Sequence, residues 1–310
     1  MKRRAVVVTG TSSGIGKAVA EHLALREDLL VFGTVRSRVR PPTTNGTRPS
    51  PVVTIPHLDL TRNGQIRRAV RTIRSKLRSS GLDSLYAIIS NAGGGVIAPL
   101  ELLNMGVLKR ELQTRIVGAA TLVQMLLPEI RRGNGRLVWI TTPGPIPLAY
   151  KSSVHIAEFA LHGLARTFRI ELARWNISSI MIACGGIKSN AVARMDQELS
   201  RRMKTLTTGQ LALYGRALKA VLERDKEIAK RGVDPIVVAE TVEAALDSPH
   251  PKPTYQVGLS KMLSSLSSLP PSKLDRFFMS MIQPERRKST PGAASFRSHW
   301  TSSVQRTKFA

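Results

Sequence analysis

The sequence predicts an α/β fold, a doubly wound parallel sheet in one domain over residues 1–282, followed by a disordered basic tail over 283–310. Two observations carry that expectation. Short, nearly continuous apolar runs alternate with segments of helical period from the start to about residue 258, and a glycine-rich turn, Gly10 to Gly16, joins the first run to the first helical pattern. Strands buried under helices on both faces read as uninterrupted apolar runs, whereas a sheet with one wet face alternates apolar and polar residues.

The strand candidates are Ala5–Thr9, Leu29–Thr34, Val52–Asp59, Leu85–Ser90, Arg136–Thr141 and Ser179–Ala183, with Thr254–Gly258 as a last one. Between the second and third, Ser37 to Pro51 is rich in Pro, Arg, Thr and Ser and predicts a long exposed loop. The strongest helical pattern runs from Val154 to Trp175, where Val154, Ala157, Leu161, Leu164, Phe168 and Leu172 form one apolar stripe. Leu112 to Ile130 carries a similar stripe, and the two helices suit pairing with their copies in a homodimer. A polar helical region extends from Ser189 to about Lys230, and a further helix begins at Asp234-Pro235, with Asp as cap and Pro in the first turn. From Pro284 the chain is rich in Ser, Thr, Arg and Lys, a composition that buries too little to order itself. No internal repeat is visible.

Composition narrows the function classes. The hydrophobic share of 42% with 22% charged residues is that of a globular chain and excludes a collagen-like or wholly disordered one. The single cysteine, Cys184, excludes a disulfide framework and a multi-thiolate zinc site, and favours a reducing, cytoplasmic setting. No apolar run reaches the roughly 18 residues of a membrane span. Met1 to Val8 superficially resembles a signal peptide, but its apolar run is short and meets Thr9-Gly10, so it reads as a first strand. The 47 Lys and Arg against 21 Asp and Glu leave a formal charge of +26, with Arg67, Arg68, Arg71, Arg74, Lys76 and Arg78 gathered on one helix. Such a surface attracts an anionic partner, nucleic acid or membrane, without specifying which, and equally suits a solvated face with no partner.

The segment Thr9-Gly10-Thr11-Ser12-Ser13-Gly14-Ile15-Gly16 lies directly after an apolar strand and before a helix starting near Lys17. Glycines allow the tight turn and close backbone approach, while a helix N-terminus offers free N–H groups to a pyrophosphate. This is the context in which a glycine pattern signals a Rossmann-type dinucleotide site. At the end of the second strand, Val35-Arg36-Ser37-Arg38 holds arginines and no acid, which favours a 2′-phosphate, hence NADP(H), over a free ribose hydroxyl.

The spacing of Thr9-Gly10, Gly14 and Gly16 resembles the glycine motif of the short-chain dehydrogenase/reductase family. Asp59-Leu60 resembles the family's adenine-contacting pair, and Asn91-Ala92-Gly93 the segment after its fourth strand. Cys184-Gly185-Gly186-Ile187 is similar to the turn near the nicotinamide, with Cys184 where proline is usual. Tyr255 to Arg276 is similar to the C-terminal part of retinol and hydroxysteroid dehydrogenases, so the resemblance spans about residues 4 to 282. It implies NADP(H) held by Thr9, Gly10, Ser12, Gly14, Ile15, Gly16, Arg36, Asp59, Leu60, Asn91, Ala92, Gly93, Gly185 and Ile187.

The same resemblance implies a catalytic tyrosine, a lysine four residues later, a serine and an asparagine. Counting back from Gly163-Leu164 puts Val154 at the tyrosine position and Glu158 at the lysine position. Valine has no proton to give, and a carboxylate raises a neighbouring phenol's pKa where a cation lowers it. The serine position falls at Thr141 or Thr142, and Arg115 takes that of the asparagine. Tyr150-Lys151 lies nearby, but adjacent residues on a helix diverge by about 100°, so Lys151 cannot sit beneath Tyr150. His155 stands three residues before Glu158 and offers another displaced acid, or a satisfied core histidine. Three readings follow. One is an NADP(H)-binding protein without the family's conventional activity. A second is an oxidoreductase acting on a lipophilic alcohol or ketone through Thr141 or Thr142 with Tyr150 or His155. The third is a nucleic-acid-binding protein, a reading weakened by an aromatic content of 5%.

Overall fold

A computed structural model describes residues 3–37, 52–144, 146–258, 266 and 268–282. Seven parallel strands lie in the order β3-β2-β1-β4-β5-β6-β7. They are β1 Arg4–Thr9, β2 Leu29–Thr34, β3 Val53–Ile55, β4 Ala87–Ser90, β5 Arg136–Thr141, β6 Ser178–Gly185 and β7 Thr254–Gly258. The helices are α1 Gly14–Ala24, α2 Asn63–Ser79, α3 Met105–Leu112, α4 Ala119–Arg132, α5 Ser152–Leu172, α6 Ala191–Met203, α7 Thr208–Lys230, α8 Pro235–Asp247 and α9 Pro271–Ile282.

Side chains alternate across each strand, and this sorts the helices into two layers. Ala5 and Val7 of β1 join the cluster containing Ile66, Leu126 and Phe168, from α2, α4 and α5. Val6 and Val8 face Val19 and Leu23 of α1 and Val242 of α8. The doubly wound sheet is therefore present. Among the described residues, no helix is long and apolar enough to cross a membrane.

Three elements differ from the sequence expectation. The third strand stops at Ile55 instead of reaching Asp59, because Pro56 has no N–H for the ladder and His57 turns the chain at φ +59°. The helix expected over Leu112–Ile130 is divided: α3 ends at Leu112, Gln113–Gly118 winds as a wider π-helical segment, and α4 follows. Val154 does not head the core stripe of α5. It is half-buried against Gly95, and the buried stripe consists of Ala157, Leu161, Ala165, Phe168 and Leu172. The polar region after Ser189 forms two helices, α7 opening with a reciprocal capping box between Thr207 and Gln210. Asp234 caps α8 by accepting from the Ile236 N–H, as its pairing with Pro235 predicts. Arg38, most of the Ser37–Pro51 loop and the tail over 283–310 lie outside the described residues.

The start of the sheet is tied to the α1–α8 layer by charge. Arg4 Nη2 donates to Asp28 at 2.6 Å and Arg26 Nε at 2.9 Å, while Arg26 also reaches Glu243 and Asp247. The Arg26 hydrogen bond outweighs burial and, with Arg4, holds the Asp28 carboxyl well below the usual carboxylate range. A depressed carboxyl stabilises the fold above its unfolded pKa, near 3.9, and loses that contribution as pH falls towards the folded value. Asp28→Asn should therefore destabilise the domain by about 2 kcal/mol at pH near 7. The gap to the unmodified protein should close below about pH 4 in thermal unfolding scans. A gap that is constant with pH would refute the assignment.

Candidate functional site

The strand order reverses between β1 and β4, so the loops after these strands splay apart and open a crevice at their C-terminal ends. Gly10 and Gly14 turn the β1–α1 loop at φ +72° and +61°, and a Cβ on Gly16 would lie 2.3 Å from both the Gly10 carbonyl and Asn91 Nδ2. Asn91 Nδ2 donates to the carbonyls of Thr9 and Gly10 at 3.1 and 3.2 Å. The Asn91 and Ala92 N–H groups donate to Thr9 Oγ1. Ser13 precedes α1 in an extended conformation without capping it, and the first turn carries no acid, which leaves the helix N-terminus suited to an anion. Ser12 is exposed at the same turn, and Ile15 packs into the α1–α8 layer. Arg194 of α6 reaches over to donate to Ser13 Oγ at 3.1 Å.

Arg36 is exposed at the end of β2. Asp59 accepts from the Thr61 N–H and hydroxyl at 2.9 and 2.7 Å. Burial opposes ionisation of Asp59, but these bonds and the charges of Arg62 and Arg36 keep its carboxyl below the ordinary range. Leu60 is buried. At the other end of the crevice, β6 closes on Gly185, Gly186 turns at φ +69°, and Ile187 bridges to Val233. The backbone cradle thus fits an extended dinucleotide, with the uncapped helix at its middle and Arg36 at the adenine end.

The end of β5 and the start of α5 are organised around a buried carboxylate. Glu158 is 0% exposed and accepts from Thr141 Oγ1 at 2.5 Å, from the Thr142 N–H at 3.0 Å and from Arg115 Nη1 at 2.6 Å. Arg115 is held in turn by Glu111 at 3.1 Å and by the Gly94 carbonyl at 3.1 Å, and its guanidinium lies against Gly93. His162 Nε2 is 3.0 Å from Thr141 Oγ1. A threonine hydroxyl has one proton, and a carboxylate only accepts. Thr141 therefore donates to Glu158 and accepts from His162. Burial lowers the His162 pKa, which favours the neutral ring. Burial, with Glu158 nearby, pushes the Cys184 thiol up to about 12, so it is not a nucleophile at neutral pH.

The family model for short chain dehydrogenase matches residues 4–200. The chain belongs to the short-chain dehydrogenase family. Among its relatives is estradiol 17-beta-dehydrogenase 2 of Mus musculus, 26% identical over 267 residues, covering 83% of this chain and 68% of that enzyme. Relatives of that kind and of 11-beta-hydroxysteroid dehydrogenase type 2 are matched over about half to two thirds of their own length. A short-chain dehydrogenase from Streptomyces avermitilis shares the fold with a TM-score of 0.66 at 20% identity, over 93% of this chain and 98% of that one. A further fold neighbour is a Burkholderia cenocepacia J2315 short chain dehydrogenase in complex with NADP, with a TM-score of 0.64 at 16% identity, over 89% and 98% of the two chains.

Two residues singled out by sequence do not join the Thr141 cluster of this short-chain dehydrogenase. Tyr150 adopts φ +66° and packs with Ile97 and Leu218, edge-on to Tyr214, while Lys151 pairs with Asp225 at 2.5 Å. His155 does not pair with Glu158 despite the helical spacing, because both Glu158 oxygens are turned to Thr141, Thr142 and Arg115. Burial, reinforced by Lys151, holds the His155 pKa down to about 4, and its Nδ1 has no partner among the described residues. Thr142 Oγ1 is likewise buried without one. Sequence reasoning missed His162, Glu111 and Arg194. The first two were signalled by one-turn spacings, Glu158 to His162 and Glu111 to Arg115, whereas nothing in the polar segment pointed to Arg194.

Because Glu158 is buried, removing its cation leaves an uncompensated charge. Arg115→Ala should cost about 3–5 kcal/mol in urea unfolding, and adding Glu158→Gln should recover part of that loss. Simple additivity of the two changes would show that the pair is not coupled.

Proposed function

We propose that this short-chain dehydrogenase domain binds NADP(H) and lacks the family's conventional turnover. One observation carries the second half of the reading: the only proton of Thr141 is committed to the buried Glu158 carboxylate. A hydroxyl so committed has no hydrogen bond to donate to a substrate oxygen, and Val154 supplies no acid. The first half rests on the cradle of Gly10, Gly14, Gly16 and Asn91, on Arg36 without a nearby acid, and on a fold neighbour solved with NADP. When bound, the nicotinamide would supply or accept hydride. The chain's own part is to hold the pyrophosphate at the α1 N-terminus, with Ser12 and Arg194 beside it, and the 2′-phosphate at Arg36.

A reducing, cytoplasmic setting and a homodimer belong to the same proposal. The pairing helices leave Val117 and Ile170 50% and 75% exposed, apolar area that a two-fold contact would cover. The oxidoreductase reading on a lipophilic alcohol or ketone keeps one supporting observation, His162 against Thr141, and its acid would be His162 in place of Tyr150 or His155. The basic surface of α2 gains no support from fold or relatives as a nucleic-acid reader.

Calorimetry should show NADPH binding more tightly than NADH, and Arg36→Asp should narrow or invert that order. Absence of any dinucleotide binding would end the cofactor reading, and light scattering that finds only monomer at micromolar concentration would end the dimer.

Turnover of hydrophobic carbonyls should be absent or very weak. Val154→Tyr alone should restore little, because Glu158 keeps the phenol's pKa up. Adding Glu158→Lys places a cation where Arg115 Nη1 now sits 2.6 Å from Glu158, so the double variant should be destabilised. Only with Arg115→Asn as a third change should partial activity appear. Robust NADPH-dependent reduction by the unmodified protein, surviving Tyr150→Phe and His155→Ala but lost in His162→Gln, would favour the oxidoreductase reading instead.

A further inference from the structure

Helix α2 turns Ile66, Ala69, Val70, Ile73 and Leu77 into the core and leaves Arg67, Arg68, Arg71, Lys76 and Arg78 exposed. From Arg62 to Ser79 the chain holds seven cations and no acid. At about 100° per residue, Arg67, Arg68, Arg71 and Arg78 fall within one arc of roughly 100° and span about 17 Å along the helix axis. The face is fixed against α4 by Arg74, which donates from Nε to Glu129 at 2.8 Å and from Nη2 to the Met125 carbonyl at 2.6 Å. Glu129 is buried, and its other ion-pair partner is Arg132. None of the five exposed cations has an acidic partner among the described residues.

Folding does not call for this pattern. Like charges three or four residues apart on a helix repel, as Arg71 does with both Arg67 and Arg68. Elsewhere the chain places an acid at that spacing: Lys17 meets Glu21, Arg202 meets Glu198, Lys226 meets Glu223 and Lys230 meets Glu227. Cations in the last turn suit the helix dipole, which accounts for Lys76 and Arg78 but not for Arg67, Arg68 and Arg71, which lie outside it. The bare row is therefore more than a share of the overall charge.

Its occupant is anionic, and the kind of anion follows from what the face lacks. Between Arg67 and Ser79 there is no aromatic ring to stack on a base and no amide to read a base edge. The exposed positions hold no apolar residue, so a protein partner would find no anchor for the centre of an interface. Guanidinium groups closer together than the Debye length act as one patch, and a plane of negative headgroups satisfies them without any matching shape. Anionic lipid faces the cytoplasm, the setting proposed above.

We propose that the exposed face of α2 docks the protein on an anionic lipid bilayer. The contact is peripheral and without insertion, since the apolar side of the helix is committed to the core. Arg67, Arg71 and Arg78 meet headgroup phosphates and carboxylates in charge-assisted hydrogen bonds. The surface uses no residue of the dinucleotide cradle or of the helices assigned to the homodimer, so it stands whether or not those readings hold.

The test uses the full chain and extruded vesicles of phosphatidylcholine, alone or with about 30 mol% phosphatidylserine, in co-sedimentation at about 0.1 M salt. The chain should bind the mixed vesicles and not the neutral ones, and raising salt to about 0.5 M should release it. Arg67→Gln, Arg71→Gln and Arg78→Gln together should weaken binding about a hundredfold, at roughly fivefold per cation. Arg216→Gln, Lys219→Gln and Arg231→Gln remove the same charge from exposed positions on and just after α7, and should weaken it by no more than about threefold. Ser75→Glu, at an exposed position within the face, should weaken binding about fivefold and keeps the test valid should the α2 triple variant not fold. Four results would overturn the proposal: no binding to the mixed vesicles, equal binding to the neutral ones, equal losses in the two triple variants, or binding that Ser75→Glu and the α2 triple variant leave intact. Tighter binding to a random duplex of about 20 base pairs, lost in the α2 triple variant, would assign the face to nucleic acid and also overturn it.

Discussion

The contact on which the β5–α5 end of this fold depends is the ion pair between Glu158 and Arg115. Glu158 is fully buried, and a carboxylate taken out of water costs several kcal/mol unless every lone pair finds a donor. Here the donors come from three elements: Arg115 from the π-helical segment, and the Thr141 hydroxyl and Thr142 N–H from the end of β5. The π winding belongs to the same arrangement. Its extra residue per turn offsets the helix register, and within it Arg115 points back across Gly93 while Gly118 presses so close to the Leu60 carbonyl that a Cβ there would lie 2.0 Å from it. A side chain on Gly93 would meet the guanidinium at 2.5 Å, so the loop after β4 is fitted to the arginine as well.

The nucleotide end rests on a different kind of contact. Its close approaches are set by glycines, of which Gly16 has no room for a Cβ and Gly10 and Gly14 take the left-handed turn that glycine favours. Its cross-links, Asn91 to Thr9 and Gly10, use one amide side chain and carry no net charge. Such a cradle is insensitive to which ionisable groups stand at the far end of the crevice. This independence lets such a backbone cradle coexist with a buried ion pair at the far end of the crevice, the anion on α5 and the cation ahead of α4.

The fold was legible in the sequence where a local pattern has one physical meaning. Continuous apolar runs gave the strand positions, because burial on both faces leaves no room for alternation, and Asp234-Pro235 marked a helix start because both residues suit the first turn. Glycine positions in the nucleotide loop were legible for the same reason, since φ above zero favours glycine at Gly10 and Gly14 and a 2.3 Å approach leaves no room for a Cβ at Gly16. The failures share a cause. Whether Leu112–Ile130 winds as α or π cannot be told from apolar spacing, and Tyr150 takes φ +66° because its carbonyl is held by the Ala98 N–H and its ring by Tyr214, contacts from distant segments. The pairing of Glu158 with Arg115 in place of His155 is likewise decided by which groups the tertiary fold brings to the carboxylate.

On the reading proposed above, the Glu158–Arg115 pair makes this site unlike one with a single missing residue. A tyrosine beside a lysine works because the cation stabilises the phenolate, and a hydroxyl nearby donates to the substrate oxygen. With Glu158 in place, the field at residue 154 favours a protonated phenol, the hydroxyl proton of Thr141 is drawn away, and Arg115 neutralises the carboxylate from the side opposite the strand. Each of these consequences stabilises the others, because a cation at 158 would repel Arg115 and an asparagine at 115 would strand Glu158 without its ion-pair partner. Glu158, Arg115 and the Thr141 hydroxyl therefore hold together as one unit, in which removing any member leaves another without its partner.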